Sequence, residues 1–89
     1  MVSEKLVIDS PLGIHLRPAT AMCDMAVRYE SKIYFEYNGQ KTANAKSVIS
    51  ILASGVKSGE EILIVAEGTD EDEALQAVVQ AFKQALNKD

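Results

Sequence analysis

Apolar residues along this chain switch repeatedly between the strand period of two and the helix period of 3.6, all within 89 residues. That alternation limits the fold more than any other feature. Leu6-Val7-Ile8, inside Lys5–Asp9, suits a short strand, and Ser10-Pro11-Leu12-Gly13 interrupts it. From Pro18 the pattern turns helical: Ala19, Met22, Cys23, Ala26 and Tyr29 recur at helix spacing, with Pro18 where a first-turn proline is tolerated. Ile33, Phe35 and Tyr37 then alternate with Lys32, Tyr34 and Glu36 as in a strand. Asn38-Gly39 predicts a hairpin turn, because both residues accept positive φ, and the return strand covers Gln40 to Ala43. Ser47 precedes Val48, Ile49, Ile51 and Leu52, which predicts a short helix capped by Ser47 and closed by Ser54-Gly55. Glu61–Glu67 reads as a strand with Ile62, Ile64 and Ala66 on one face and Leu63 and Val65 on the other. After Gly68-Thr69, the carboxylates of Asp70 to Glu73 suit a helix N-terminus. Ala74, Leu75, Val78, Val79, Phe82 and Leu86 trace the apolar stripe of that last helix.

A chain of this length buries only about 60–65% of the surface its unfolded form exposes, which leaves room for one core and one domain over 1–89. The simplest way to bury strand, helix, strand, strand, helix, strand, helix is an α+β arrangement with the helices on one face of a mainly antiparallel sheet. The net charge is −4, from 9 basic and 13 acidic residues, and the basic residues are scattered. That balance argues against nucleic acid and against an anionic membrane surface as partners. The single cysteine, Cys23, has no internal disulfide partner and falls on the first helical stripe, where it reads as a small core residue. With no apolar run long enough for a signal peptide or a bilayer span, the expectation is a cytoplasmic protein without membrane insertion. There is no P-loop, dinucleotide fingerprint or Cys/His metal spacing, so neither metal nor cofactor is expected.

The chemistry-bearing candidate is His15, the only histidine, in a loop that runs directly into a helix N-terminus. Backbone N–H groups and the positive dipole end there favour a phosphate, and Arg17 adds a charged, forked donor. Imidazole is a nucleophile near neutral pH, so His15 and Arg17 together suit reversible phosphorylation. Taken alone, so short a motif more readily describes an exposed loop histidine, and the loop-to-helix context narrows that gap without closing it. Ser47 reads as an N-cap worth about 1 kcal/mol; a phosphate on it would bring about −1.5 to −2 charge. Val48, Ile49, Ile51 and Leu52 crowd a helix of two turns, which either turns them all to the core or leaves some as a docking patch. No second catalytic group is readable, so a turnover enzyme is not expected.

The heptapeptide Gly13-Ile14-His15-Leu16-Arg17-Pro18-Ala19 closely resembles the active-site signature of HPr, the histidine-containing phosphocarrier family of the bacterial phosphotransferase system. Asn44-Ala45-Lys46-Ser47-Val48-Ile49 resembles that family's regulatory serine segment, and Tyr37-Asn38-Gly39 and Gly68-Thr69-Asp70-Glu71 also look familial. The resemblance runs over essentially the whole chain. It implies an open-faced β-sandwich of βαββαβα order, a four-stranded antiparallel sheet covered on one face by three helices. It implies that Enzyme I, using phosphoenolpyruvate, phosphorylates His15 on Nδ1, that the group passes to EIIA domains of sugar permeases, and that Arg17 steadies it. It further implies that Ser47 is the target of an HPr kinase/phosphorylase, the serine-phosphorylated form binding a transcription regulator of catabolite repression. The expected docking residues of a monomeric carrier are Leu16, Thr20, Val48, Ile49 and Leu52. Two residues depart from the pattern: Leu16 stands where small or polar residues are common, and Ser50 replaces a frequent glycine. The competing reading is a regulatory binding module acting mainly through phospho-Ser47; paralogues of that kind lack the active histidine, and His15 points away from them.

Overall fold

The computed structural model describes residues 1–88; Asp89, the last residue of the expected domain, lies outside the described residues. The elements are β1 (Val2–Val7), α1 (Leu16–Ala26), β2 (Lys32–Tyr37), β3 (Lys41–Asn44), α2 (Val48–Ala53), β4 (Glu61–Glu67) and α3 (Glu71–Asn87). The strands form one sheet in the order β1-β4-β2-β3, antiparallel at every pairing, and the helices cover one face as the α+β reading expected. Register follows the apolar alternation: Leu6 lies opposite Ile62, and Phe35 lies opposite both Ile64 and Ala43. Asn38 and Gly39 both have positive φ, 49° and 85°, as their hairpin turn requires.

The element boundaries differ from the sequence reading in three places. β1 begins at Val2 rather than Lys5, because its ladder with β4 runs from Val2–Ala66 to Val7–Glu61 whatever the side chains are. Ile8, just past the strand, keeps both backbone bonds, donating to the Glu60 carbonyl (2.8 Å) and accepting from the Gly59 N–H (2.6 Å). β3 is shifted by one residue, to Lys41–Asn44. α1 begins at Leu16, two residues before Pro18, so the proline is its third residue. The missing N–H of Pro18 falls among the first-turn amides that have no helical partner in any case. Tyr29 lies beyond the end of α1 but, like Cys23, packs half-buried against the core.

Phe35, Phe82, Ile8, Met22, Ile33, Ile51, Ile62, Ile64 and Val78 fill the space between sheet and helices with essentially no exposure. Val65 points to the opposite face, opposite Tyr34 and Ser3, yet is only 2% exposed. Among the described residues no helix is long and apolar enough to cross a membrane.

The far end of the helical layer is fastened by Asp70. It is the N-cap of α3, but its carboxylate makes no cap bond. It reaches instead across the fold, accepting from the Glu30 N–H (3.0 Å), the Ser31 N–H (3.0 Å) and the Ser31 hydroxyl. Gly68, beside it, leaves no room for a side chain, since a Cβ there would stand 2.8 Å from Ser31 Cα. The hydrogen bonds from Ser31 and Glu30 hold the Asp70 carboxyl below its ordinary value of 3.8. The native state therefore binds fewer protons than the unfolded chain, so this stabilisation is present above pH 3.8 and is lost as pH falls through the lowered value. Asp70→Asn should be less stable than the parent at neutral pH. Urea midpoints measured against pH should show that gap closing below pH 3.8, and a gap of constant size would contradict the assignment.

Candidate functional site

The site starts from a backbone constraint two residues before the histidine. Gly13 has φ +68°, and a Cβ on it would lie 2.7 Å from the Val56 carbonyl oxygen and 3.0 Å from Lys57 Cα. Only glycine combines that conformation with so close an approach. The Gly13 N–H donates to the Ser10 carbonyl (3.0 Å), and the N–H of buried Ile14 donates to the Val56 carbonyl (3.1 Å). So held, the chain enters α1 with His15 as N-cap, in extended conformation at φ −113° and ψ −168°, its carbonyl accepting from the Ala19 N–H (3.1 Å).

An N-cap side chain ordinarily accepts from the first-turn amides, but the half-buried His15 ring makes no cap bond. Its Nδ1 lies 3.3 Å from the Gly13 carbonyl oxygen. With the proton on Nδ1 the ring donates to that carbonyl and Nε2 carries the lone pair; with the proton on Nε2 the lone pair is on Nδ1. In α1 the amides of Leu16 and Arg17 have no partner within the helix, and Pro18 has no N–H. The Arg17 guanidinium is exposed and makes no hydrogen bond or ion pair among the described residues. His15, Leu16, Arg17, Thr20, Ala21 and Asp24 line one shallow depression. The site thus joins a nucleophilic ring, a helix N-terminus and an exposed cation at an open surface. No group of three His, Cys, Asp or Glu side chains comes together among the described residues to hold a metal.

Ser47 is the N-cap of α2, its hydroxyl accepting from the Ser50 N–H at 3.2 Å. The Ser50 hydroxyl in turn accepts from the Asn44 N–H at 2.8 Å, so this family departure ties the end of β3 to α2. Of the four apolar residues on α2, Ile51 is buried and Val48 packs half-buried against the core, whereas Ile49 is 82% and Leu52 39% exposed. Leu16 is 62% exposed on α1. α2 packs on α1, and of the expected docking residues Leu16 and Thr20 share the depression of His15 while Val48, Ile49 and Leu52 do not line it. Sequence reasoning passed over Asp24, which lies seven residues after Arg17 and hence on the same helix face.

Residues 2–84 match the family described as the PTS HPr component phosphorylation site. A histidine-containing phosphocarrier protein from Mycoplasma is similar at 33% identity, with 96% of each chain covered and a TM-score of 0.91. HPr from Thermoanaerobacter tengcongensis is similar at 32% identity, covering 100% of this chain and 99% of that one, with a TM-score of 0.87. Crh, the Bacillus subtilis catabolite repression containing protein, described as a dimer with a swapping domain, is similar at 32% identity, 96% and 97% coverage and a TM-score of 0.72.

The contact at Gly13 is open to direct test. Gly13→Ala should lower stability by about 1–3 kcal/mol in urea unfolding and shift the His15 ring resonances. Gly39→Ala, whose Cβ meets nothing within 4 Å, should cost less and leave those resonances in place.

Proposed function

We propose that this chain, which belongs to the HPr family of phosphocarriers in the phosphotransferase system, carries its phosphoryl group on His15. The observation that supports this most directly is the use of an N-cap position for a ring that does not cap, at the rim of an exposed depression shared with Arg17. Phospho-Enzyme I is read as the donor: a ring nitrogen of His15 forms a bond to phosphorus as the bond between phosphorus and the donor breaks, the donor leaving dephosphorylated. Attack through Nδ1 requires the ring proton on Nε2 and a turn of the ring away from the Gly13 carbonyl. The phosphoryl oxygens then meet the first-turn amides and the positive end of α1, with Arg17 close enough in sequence to close over them. An EIIA domain of a sugar permease takes the group in a second exchange of the same kind.

In this reading the protein is a stoichiometric intermediate without turnover of its own, working as a monomeric single domain over 1–89 in the cytoplasm. Leu16, Thr20, Val48, Ile49 and Leu52 form the docking face in this reading, the exposure of Leu16, Ile49 and Leu52 being its support. Ser47 is a regulatory phosphosite for an HPr kinase/phosphorylase, its serine-phosphorylated form binding a catabolite-control regulator. A phosphate on Ser47 would place about −1.5 to −2 charge beside Ile49 and Leu52, opposing an acidic partner while leaving the helix formed.

Labelled phosphoenolpyruvate with Enzyme I should put an acid-labile phosphoryl group on the parent and none on His15→Ala; undiminished labelling of that variant would sink the assignment. Arg17→Ala should slow transfer while leaving stability equal or slightly higher, since a cation in the first turn opposes the helix dipole by about 0.3–1 kcal/mol. Ser47→Asp should accept phosphate more slowly than the parent, and the defect should shrink as salt rises, with circular dichroism close to the parent. A Ser47→Asp protein phosphorylated at the parent's rate at low ionic strength refutes the regulatory part.

A further inference from the structure

α1 carries its charges the wrong way round. Its first turn holds no acidic residue but does hold Arg17, and its last turn holds no basic residue but does hold Asp24. A cation at the N-terminus and an anion at the C-terminus both oppose the macrodipole. α3 shows the ordinary arrangement at its start, with Glu71, Asp72 and Glu73 in the first turn. The two reversed charges are not scattered: seven residues separate them, close to two turns, which puts both on the face that lines the depression of His15. Asp24 is exposed, and its carboxylate makes no hydrogen bond or ion pair among the described residues, not even with Arg28 four positions on. Among the described residues it caps nothing and pairs with nothing.

We propose that Asp24 is a specificity determinant of the docking strip on α1, selecting a phosphoryl-donor protein that sets a cationic side chain opposite it while the phosphoryl group faces Arg17. The inference rests on the phosphocarrier reading above. Asp24 is nine residues from His15, about 13 Å along the helix, beyond the screening length of about 8–10 Å in ordinary salt. It therefore acts on the partner's approach and not on the phosphoryl group, and it is not a catalytic residue. A charge at the rim of an interface changes association and its salt dependence more than the step that follows.

The test is steady-state phosphorylation by Enzyme I and phosphoenolpyruvate of the parent, Asp24→Asn and Asp24→Lys, with the carrier as varied substrate. At low ionic strength KM for the carrier should rise about tenfold in Asp24→Lys, equivalent to about 1.4 kcal/mol, and less in Asp24→Asn. The limiting rate at saturation should stay within about twofold of the parent, and the KM difference should shrink as salt rises. Melting gives a readout in the opposite direction, because lysine suits the helix C-terminus: Asp24→Lys should be as stable as the parent or more so. A variant that is more stable and docks less well is not explained by a structural role. An unchanged or lower KM in both variants overturns the inference while His15 labelling of the parent stands. A parent that is not labelled at all overturns this inference and the phosphocarrier reading together.

Discussion

The contact between Gly13-Ile14 and Val56 decides where the first helix starts, and most of the site follows from it. Without a side chain at Gly13 the loop lies against the Val56 carbonyl, and the Ile14 amide bonds to that same oxygen. One residue later the chain is in α1, so His15 becomes the cap and Leu16 and Arg17 the first-turn amides. Val56 is itself placed by the end of α2, where Gly55 at φ +65° turns the chain out of the helix and its N–H donates to the Leu52 carbonyl (3.2 Å). The exit of α2 is thereby tied to the entry of α1. The His15 ring and the apolar surface of α2 belong to one framework because a carbonyl after one helix holds the loop before the other.

How much of this was legible depended on whether the deciding interaction was local. β4 and α3 were plain, since Ile62, Ile64 and Ala66 repeat at period two and Leu75, Val78, Val79, Phe82 and Leu86 at helix spacing, and burial decides both. The hairpin at Asn38-Gly39 was plain because its chemistry sits in two adjacent residues. The start of α1 was not, because it is set by Val56, more than forty positions away, while Pro18 offered a local signal of the same kind two residues late. Val2 to Glu4 escaped notice because backbone pairing with β4, not apolar content, makes them a strand. Asp70 read as a charge for the α3 dipole, yet its carboxylate serves Glu30 and Ser31 across the fold. His15, Arg17 and Ser47 stood out in the sequence through motif resemblance, and the structure places them at helix starts. Asp24 carried no motif, and only its place in the depression separates it from an ordinary surface carboxylate.

α1 and α3 pack against each other on the same sheet, yet their polar faces obey different rules. The first turn of α3 is filled with carboxylates that favour the helix, and Glu71 also accepts from the Gly68 N–H (3.1 Å) and pairs with the Met1 amino group (2.8 Å). These contacts serve folding. α1 gives up the same small gains at both ends and leaves its cap side chain off the amides. In a chain with one small core such losses are tolerable because the buried face, Ala19, Met22 and Ala26, is untouched by them. The face that holds the helix in place and the face that carries Arg17 and Asp24 are separate surfaces of one element.

The two N-caps make the same division at a single position. His15 and Ser47 both sit in extended backbone immediately before a helix, and each carbonyl accepts the first helical bond, from Ala19 and from Ile51. Ser47 also caps with its side chain, and the residue that donates to it, Ser50, has its own hydroxyl occupied as an acceptor by the Asn44 amide. That hydroxyl still has a proton to give, so a phosphate on Ser47 would meet one donor already in place and leave the link to β3 intact. The His15 ring has no such duty at the head of α1. A phosphoryl group there would displace no capping bond, and the amides of Leu16 and Arg17 would be available to it instead of to a cap. Placing a phosphate at a helix start is thus compatible with both sites. Reversible transfer suits the one whose side chain the helix does not use.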